Sequence, residues 1–234
     1  MAQPKKIFYE KQAATIIKNL AKRKMQGFYC ENVEEAKKKL VDLLSENNNT
    51  SNEKDVACTN GSCSTGTSSK KSVGYGGSMT LDENGFKDAV TDAGHELILR
   101  ENFKTPEQTK ECNAKIVNAD AFLMSTNAIT IDGELVNIDG RGNRVSFLIY
   151  GPESVIVIAG MNKVVSNVED GIRRVRNFAT PPNCVRLDCK TPCAVTGKCG
   201  DCFGDSICCQ FVITRMSRVP NRIKVILVGE ELGY

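Results

Sequence analysis

Tryptophan is absent from these 234 residues, histidine occurs once, and tyrosine and phenylalanine together number 14 (5 + 9). So thin an aromatic complement argues against a base-stacking platform for nucleic acid. An excess of one charge is also missing. The 31 basic and 28 acidic residues leave a net charge of +3, whereas a phosphate-binding surface ordinarily carries a marked basic excess. No apolar run reaches the roughly 18 residues of a transmembrane helix. The opening stretch MAQPKKIFYEKQ has no apolar signal core. Together these absences point to a cytoplasmic protein with neither nucleic acid nor a membrane span among its partners. No period of about 20–50 residues repeats, which excludes a solenoid.

Cysteine, by contrast, is plentiful. Seven of the 11 cysteines lie between Cys184 and Cys209, and five form the run Cys193-x5-Cys199-x2-Cys202-x5-Cys208-Cys209. In a reducing compartment, thiols clustered this way favour metal ligation over disulfides. The expected ligands are Cys193, Cys199, Cys202 and Cys208, with Cys209 as a substitute for Cys208. Soft thiolates suit iron–sulfur clusters or zinc, and four cysteines commonly hold a [4Fe–4S] centre. The spacing is neither that of a zinc ribbon nor that of a bacterial ferredoxin. A [4Fe–4S] cluster is the favoured reading and zinc the alternative. Cys184 and Cys189 read as flanking small hydrophobes or spare thiols. Cys58 and Cys63 read as free thiols or as extra ligands. They sit in residues 46–71, a Ser-, Asn-, Thr- and Gly-rich stretch expected to be a flexible insertion. His95 has no partner at a recognisable spacing and reads as a residue at a strand start.

Elsewhere, helical and strand periodicities alternate. Helices are expected near 5–25, 33–46, 80–93, 105–118, 143–150 and 167–178. Strands are expected at 27–30, from 73 into the glycines and hydroxyls of 76–80, and at 96–99, 121–125, 155–160, 210–215 and 222–228. Asp132-Gly133 between two β-prone runs signals a hairpin. The alternation predicts a single α/β domain, 1–234, with an open and largely parallel sheet covered on both sides. Residues 184–209 form a cysteine-rich metal-binding segment on it.

Two polar segments are placed to meet at the carboxyl ends of such strands. The first is the glycine loop Gly76, Gly77, Ser78 and Thr80. The second is rich in polar side chains: Asn127, Asp132, Glu134, Asn137, Asp139, Asn143 and Arg144. Asp132, Glu134 and Asp139 are the candidate acid–base groups. Arg144 is the candidate for holding a small carboxylate ligand bidentately. The plainer alternatives are a tight turn at the glycines, a hairpin at Asp132-Gly133 and a helix cap at Asn143. The Arg173, Arg174 and Arg176 group reads as a solvated helix face.

Several segments together resemble a known family. They are Gly76-Gly77-Ser78-Met79-Thr80, Met124-Ser125-Thr126-Asn127-Ala128-Ile129, Asp132-Gly133-Glu134-Leu135-Val136-Asn137, Asp139-Gly140-x-Gly142-Asn143-Arg144-Val145 and Val157-Ile158-Ala159-Gly160-Met161-Asn162-Lys163. They are similar to the LUD, or lactate utilization, domain, and the cysteine segment resembles a cysteine-rich branch of it. The resemblance implies a three-layer α/β/α fold like that of the sugar-isomerase and CoA-transferase group. It also implies a link to oxidation of L-lactate by an iron–sulfur system of several subunits. Redox partner subunits and a homodimer are then expected. The functional expectation is a metalloprotein of 2-hydroxy-acid utilization, an oxidoreductase component. The alternative is an accessory or ligand-binding protein with a structural zinc or iron–sulfur site and no catalysis of its own.

Overall fold

The run Ser154–Gly160 has no polar face, and a strand with that pattern must be covered on both sides. In the computed structural model, which describes residues 3–46 and 70–234, all seven of its residues are buried within a sheet. In chain order the strands are β1 (Gln26–Cys30), β2 (Ser72–Tyr75), β3 (Glu96–Ile98), β4 (Ala121–Ser125), β5 (Ala128–Thr130), β6 (Leu135–Asp139), β7 (Ser154–Gly160), β8 (Val164–Val165), β9 (Gln210–Thr214) and β10 (Ile223–Val228). The helices are α1 (Gln3–Lys22), α2 (Val33–Ser45), α3 (Met79–Asp82), α4 (Phe86–Asp92), α5 (Pro106–Val117), α6 (Asn143–Ile149), α7 (Val168–Arg174), α8 (Thr180–Arg186) and α9 (Pro192–Thr196). Most of the 46–71 segment, with Cys58 and Cys63, lies outside the described residues.

Six strands form a wholly parallel sheet in the order β1-β10-β7-β4-β2-β3. Period-two alternation divides its side chains between two cores. Phe122, Met124, Val155, Val157, Val225 and Leu227 pack with α1, α5 and α6 through Ile16, Leu20, Ile116 and Phe147. Leu123, Ile156, Ile158, Ile226 and Val228 pack with α2, α3 and α4 through Leu40, Leu44, Leu81 and Phe86. Each fully buried side chain of this kind contributes about 1.5–3 kcal/mol. The three-layer α/β/α arrangement follows from these two faces.

Local chemistry sets the helix ends. Asn32 caps α2 by accepting from the Glu35 N–H, and Thr105 with Gln108 forms a capping box ahead of Pro106. The helix expected over 80–93 is two helices instead. The chain breaks at Gly85, whose φ of +68° a helix interior cannot hold. The helix expected over 167–178 continues through a π turn, Val175–Ala179, into α8, where Pro181 and Pro182 lack the N–H of a regular ladder.

The expectation of one sheet needs correcting. A second, four-stranded sheet has the order β8-β5-β6-β9. Its nucleus is the hairpin about Asp132-Gly133, where Gly133 has φ +88° and its N–H donates to Thr130 O at 2.9 Å. β9, which follows the cysteine segment, pairs antiparallel with β6 rather than joining the main sheet. Its own small core is Ala128, Val136, Ile138, Val175 and Ala179.

From β2 the chain moves outward to β3; from β4 it moves the opposite way, to β7 and then β10. That reversal opens a crevice at the carboxyl ends of β2 and β4, where open α/β sheets ordinarily receive ligands.

Candidate functional site

A cavity of about 270 Å³ occupies this crevice, near the lower end of the roughly 300–1,000 Å³ that holds a drug-sized ligand. The loop after β2 contributes Gly77, Ser78 and Thr80, the end of β4 contributes Ser125 and Asn127, and the turn after β7 contributes Lys163. Asp139 and Arg144 form another wall, and Thr180, Arg186 and Ile207 close the side toward the cysteine segment.

Lys163 was not among the candidate site residues chosen from sequence, where it appears only at the end of the Val157–Lys163 motif that carries the family resemblance. It is 3 % exposed. Its Nζ donates to Thr80 Oγ1 at 2.7 Å and Ser125 Oγ at 3.1 Å, so its partners are hydroxyls rather than carboxylates. Burial, then the nearby Arg174 and Arg144 charges, lower its pKa to about 7. The available signal was positional: Lys163 lies three residues past the end of a strand buried on both faces, in the turn at the strand's carboxyl end.

Arg144 lines the cavity, but its donors are occupied. Nη1 donates to Ser125 O (3.1 Å) and Asn137 Oδ1 (2.7 Å), and Nη2 to Asn127 Oδ1 (2.8 Å) and Ile138 O (3.2 Å). Asp139 accepts the Arg144 N–H at 3.2 Å and places Oδ1 3.6 Å from Nε. The guanidinium therefore fastens β4 to β6 and lends positive charge, and its Nη groups are not free for the bidentate grip expected of it. Arg174 is likewise no solvated side chain: Nε donates to Asn162 O (3.1 Å) and Nη1 to Asn127 O (2.7 Å).

The remaining sequence candidates divide. Asn137 is fully buried behind the wall, with its Nδ2 unpartnered. Gly76 packs against Phe122, where an added Cβ would come within 2.9 Å of the ring. Asn143 begins α6 beside Arg100, outside the cavity lining. Asp132 and Glu134 require a correction. Asp132 borders a different cavity, with Lys22, Arg23 and Arg215. Glu134 accepts from Thr130 Oγ1 and pairs with Arg23 Nη2 at 2.7 Å. The hairpin separates its ends: at about 3.3 Å per residue, the turn lies roughly 15–20 Å from Asp139. His95, just before β3, accepts the Lys71 N–H at 3.3 Å through Nδ1, and its Nε2 is buried without a partner.

The cysteine segment reaches the cavity. Ile207 is part of the wall, the Cys208 thiol donates to Thr180 Oγ1 at 3.7 Å, and the Cys209 N–H donates to Asp139 O at 3.0 Å. Burial raises the Cys208 pKa, the Thr180 hydrogen bond lowers it, and Cys199, Cys193 and Cys202 raise it by smaller amounts. Each thiol has its own surroundings: Cys193 bonds with Thr191 Oγ1 (3.3 Å) and Cys199 with Arg176 Nε (3.3 Å). Among the described residues, no three His, Cys, Asp or Glu side chains converge as a metal-ion site. The donor chemistry suits a soft metal centre, but the described arrangement does not. No helix among the described residues is long and apolar enough to cross a membrane.

A family model described as LUD domain matches residues 13–228. The chain is also similar to the crystal structure of a DUF162 family protein from Deinococcus radiodurans, at 14% identity over 95% of this chain and 98% of that one, with a TM-score of 0.49. No curated protein matches.

Proposed function

The chain belongs to the LUD domain family, associated with lactate utilization, and we propose that it binds a small organic acid of the 2-hydroxy-acid class in the crevice cavity. One observation carries this reading. Three cationic side chains, Lys163, Arg144 and Arg186, line the cavity and Arg174 stands near Lys163, while Asp139 is the one carboxylate side chain among the described lining residues. A carboxylate ligand offsets that imbalance, and in a partly desolvated site the attraction is stronger than in water. Ser78, Thr80, Ser125 and Asn127 supply the hydrogen-bonding groups for a neighbouring hydroxyl. Asp139 is the residue of the three proposed carboxylates positioned to exchange a proton with a ligand.

Calorimetric titration with L-lactate tests the reading. Saturable binding is expected, weakened at least about tenfold in Lys163→Met, the effect of losing one charge-assisted hydrogen bond. Asp132→Asn, at the far end of the hairpin, is expected to bind as the parent does. Equal affinity in the parent and Lys163→Met would remove the cavity from consideration.

The same proposal assigns Cys193, Cys199, Cys202 and Cys208 as the thiolates that would hold a [4Fe–4S] cluster, with zinc as the alternative occupant. It is supported by soft donor chemistry alone, since no three such side chains converge among the described residues. Such a cluster supplies one-electron transfer when bound. Anaerobic purification followed by metal analysis is expected to give about four irons per chain, lost in Cys199→Ser. One zinc and no visible absorption would replace the redox reading with a structural clamp. The saturation of Arg144 by protein acceptors favours a second reading, an accessory ligand-binding protein without catalysis of its own. Binding of the acid without turnover by the metal-loaded chain would support it.

A further inference from the structure

The Lys163 amine is built differently from a lysine that serves only as a charge. A lysine meant to remain an ammonium is ordinarily exposed or paired with a carboxylate, because an unpaired buried charge is costly. Lys163 is buried, lines the cavity, and is held by two neutral hydroxyls while two guanidinium charges stand nearby. Desolvation beside other cations is how a lysine becomes a nucleophile for carbonyl compounds.

We propose that the Lys163 Nζ forms an imine with the carbonyl carbon of a small 2-oxo acid in this cavity. The proposal rests on the reading that the cavity receives small organic acids, and it deepens that reading by naming a 2-oxo acid and a covalent step. The nitrogen lone pair attacks the carbonyl carbon, a C–N bond forms, and the carbonyl electron pair moves to oxygen, which takes up a proton. The nitrogen gives up one proton to yield the carbinolamine; its hydroxyl takes up a second proton and leaves as water as the nitrogen lone pair forms the C=N bond, and loss of the remaining N–H proton leaves the imine. Amine and ketone give imine and water, with no oxidant or reductant required.

Thr80 and Ser125 are placed to assist. Their hydroxyls bracket the nitrogen and lie 3.4 Å from each other, and Thr80 Oγ1 also reaches Leu232 O at 3.2 Å. This connected set can pass a proton between nitrogen and the departing oxygen. The acid's carboxylate offsets the charges of the lining Arg144 and Arg186. The lowered Lys163 pKa is consistent with this chemistry because it leaves a substantial fraction of free amine at neutral pH. A 2-hydroxy acid has no carbonyl carbon to attack, so the lysine distinguishes the two oxidation states of one carbon skeleton: the hydroxy acid binds reversibly and the oxo acid is held covalently.

The test is to treat the full chain with pyruvate and sodium borohydride, which reduces an imine to a stable secondary amine. Intact-mass measurement is expected to show a gain of one pyruvate less one oxygen, and peptide mapping is expected to place it on Lys163. L-Lactate under the same treatment should leave the mass unchanged. Lys163→Arg should lose the adduct, and Ser125→Ala should form it more slowly, with circular dichroism confirming that both variants fold. Mapping on the parent chain decides the site even if a variant misfolds. Pyruvate binding by calorimetry without an adduct, or an adduct on other lysines, overturns the imine and leaves the organic-acid reading standing. Binding of neither acid overturns both.

Discussion

Arg144→Ala is expected to lower the free energy of unfolding by about 3–5 kcal/mol, the range for breaking a buried, hydrogen-bonded ion pair. The side chain is 13 % exposed and its partner Asp139 18 %. Four acceptors from β4, β6 and their flanking loops converge on its two Nη atoms. Truncation leaves the Ser125 and Ile138 carbonyls, the Asn127 and Asn137 amides and a carboxylate short of donors together. Each buried polar group left unsatisfied costs about 1–3 kcal/mol, and neighbouring losses are not additive. Arg144→Lys should recover little, because one ammonium cannot reproduce a planar fork that serves acceptors on both sides. Urea unfolding measures this as a shift of midpoint at constant slope. A loss below about 1 kcal/mol in Arg144→Ala, comparable to that of an exposed pair, would show that water replaces the guanidinium and that it does not fasten the two sheets.

The main sheet was legible because its determinants are local. Ser154–Gly160 announces burial on both faces by composition, and the caps at Asn32 and Thr105 are read within four residues. The second sheet was less legible because β9 reaches β6 across more than 70 residues, pairing Asp139 with Gln210. Short-range periodicity carries no information about such a partner. The site divided in the same way. Gly77, Ser78, Thr80 and Asn127 lie at strand ends, and strand ends can be counted along a sequence. Asp132 and Glu134 sit close to Asp139 in sequence, but an extended hairpin turns closeness along the chain into distance in space. Lys163 was missed for the opposite reason. Nothing next to it in sequence is acidic or catalytic, and its character comes from Thr80, Ser125, Arg144 and Arg174, all brought to it by the fold. The clustered cysteines marked the segment that closes one side of the cavity, through Ile207 and the Thr180–Cys208 contact. Their convergence on a metal is a separate question that spacing alone does not answer.

Lys163→Met is expected to flatten the pH dependence of stability between about pH 7 and pH 10. The folded chain holds this amine at a pKa of about 7, against 10.5 for an ordinary lysine. Between those values the unfolded chain binds a proton that the folded chain does not. By linkage, stability must rise with pH across that window and lose this contribution as pH falls toward 7. The expected rise in the parent is on the order of 2–4 kcal/mol, from roughly 1.4 kcal/mol per pKa unit reduced for relaxation of the site. Other lysines, tyrosines and thiols titrate in the same range, so the informative quantity is the difference between parent and variant, in which their contributions largely cancel. Methionine keeps a similar apolar stem and removes the ionisable nitrogen. Its cost is the two hydroxyl bonds at Thr80 and Ser125, which is independent of pH. The variant should therefore gain on the parent as pH falls from 10 to 7, as measured by urea unfolding at each pH. Parallel stability curves would mean that Lys163 stays an ammonium throughout. Because an acid bound beside the amine favours its protonated form, binding of L-lactate at pH 8 is further expected to take up a proton. Calorimetry in buffers of different ionisation enthalpy measures that uptake, and it should vanish in Lys163→Met.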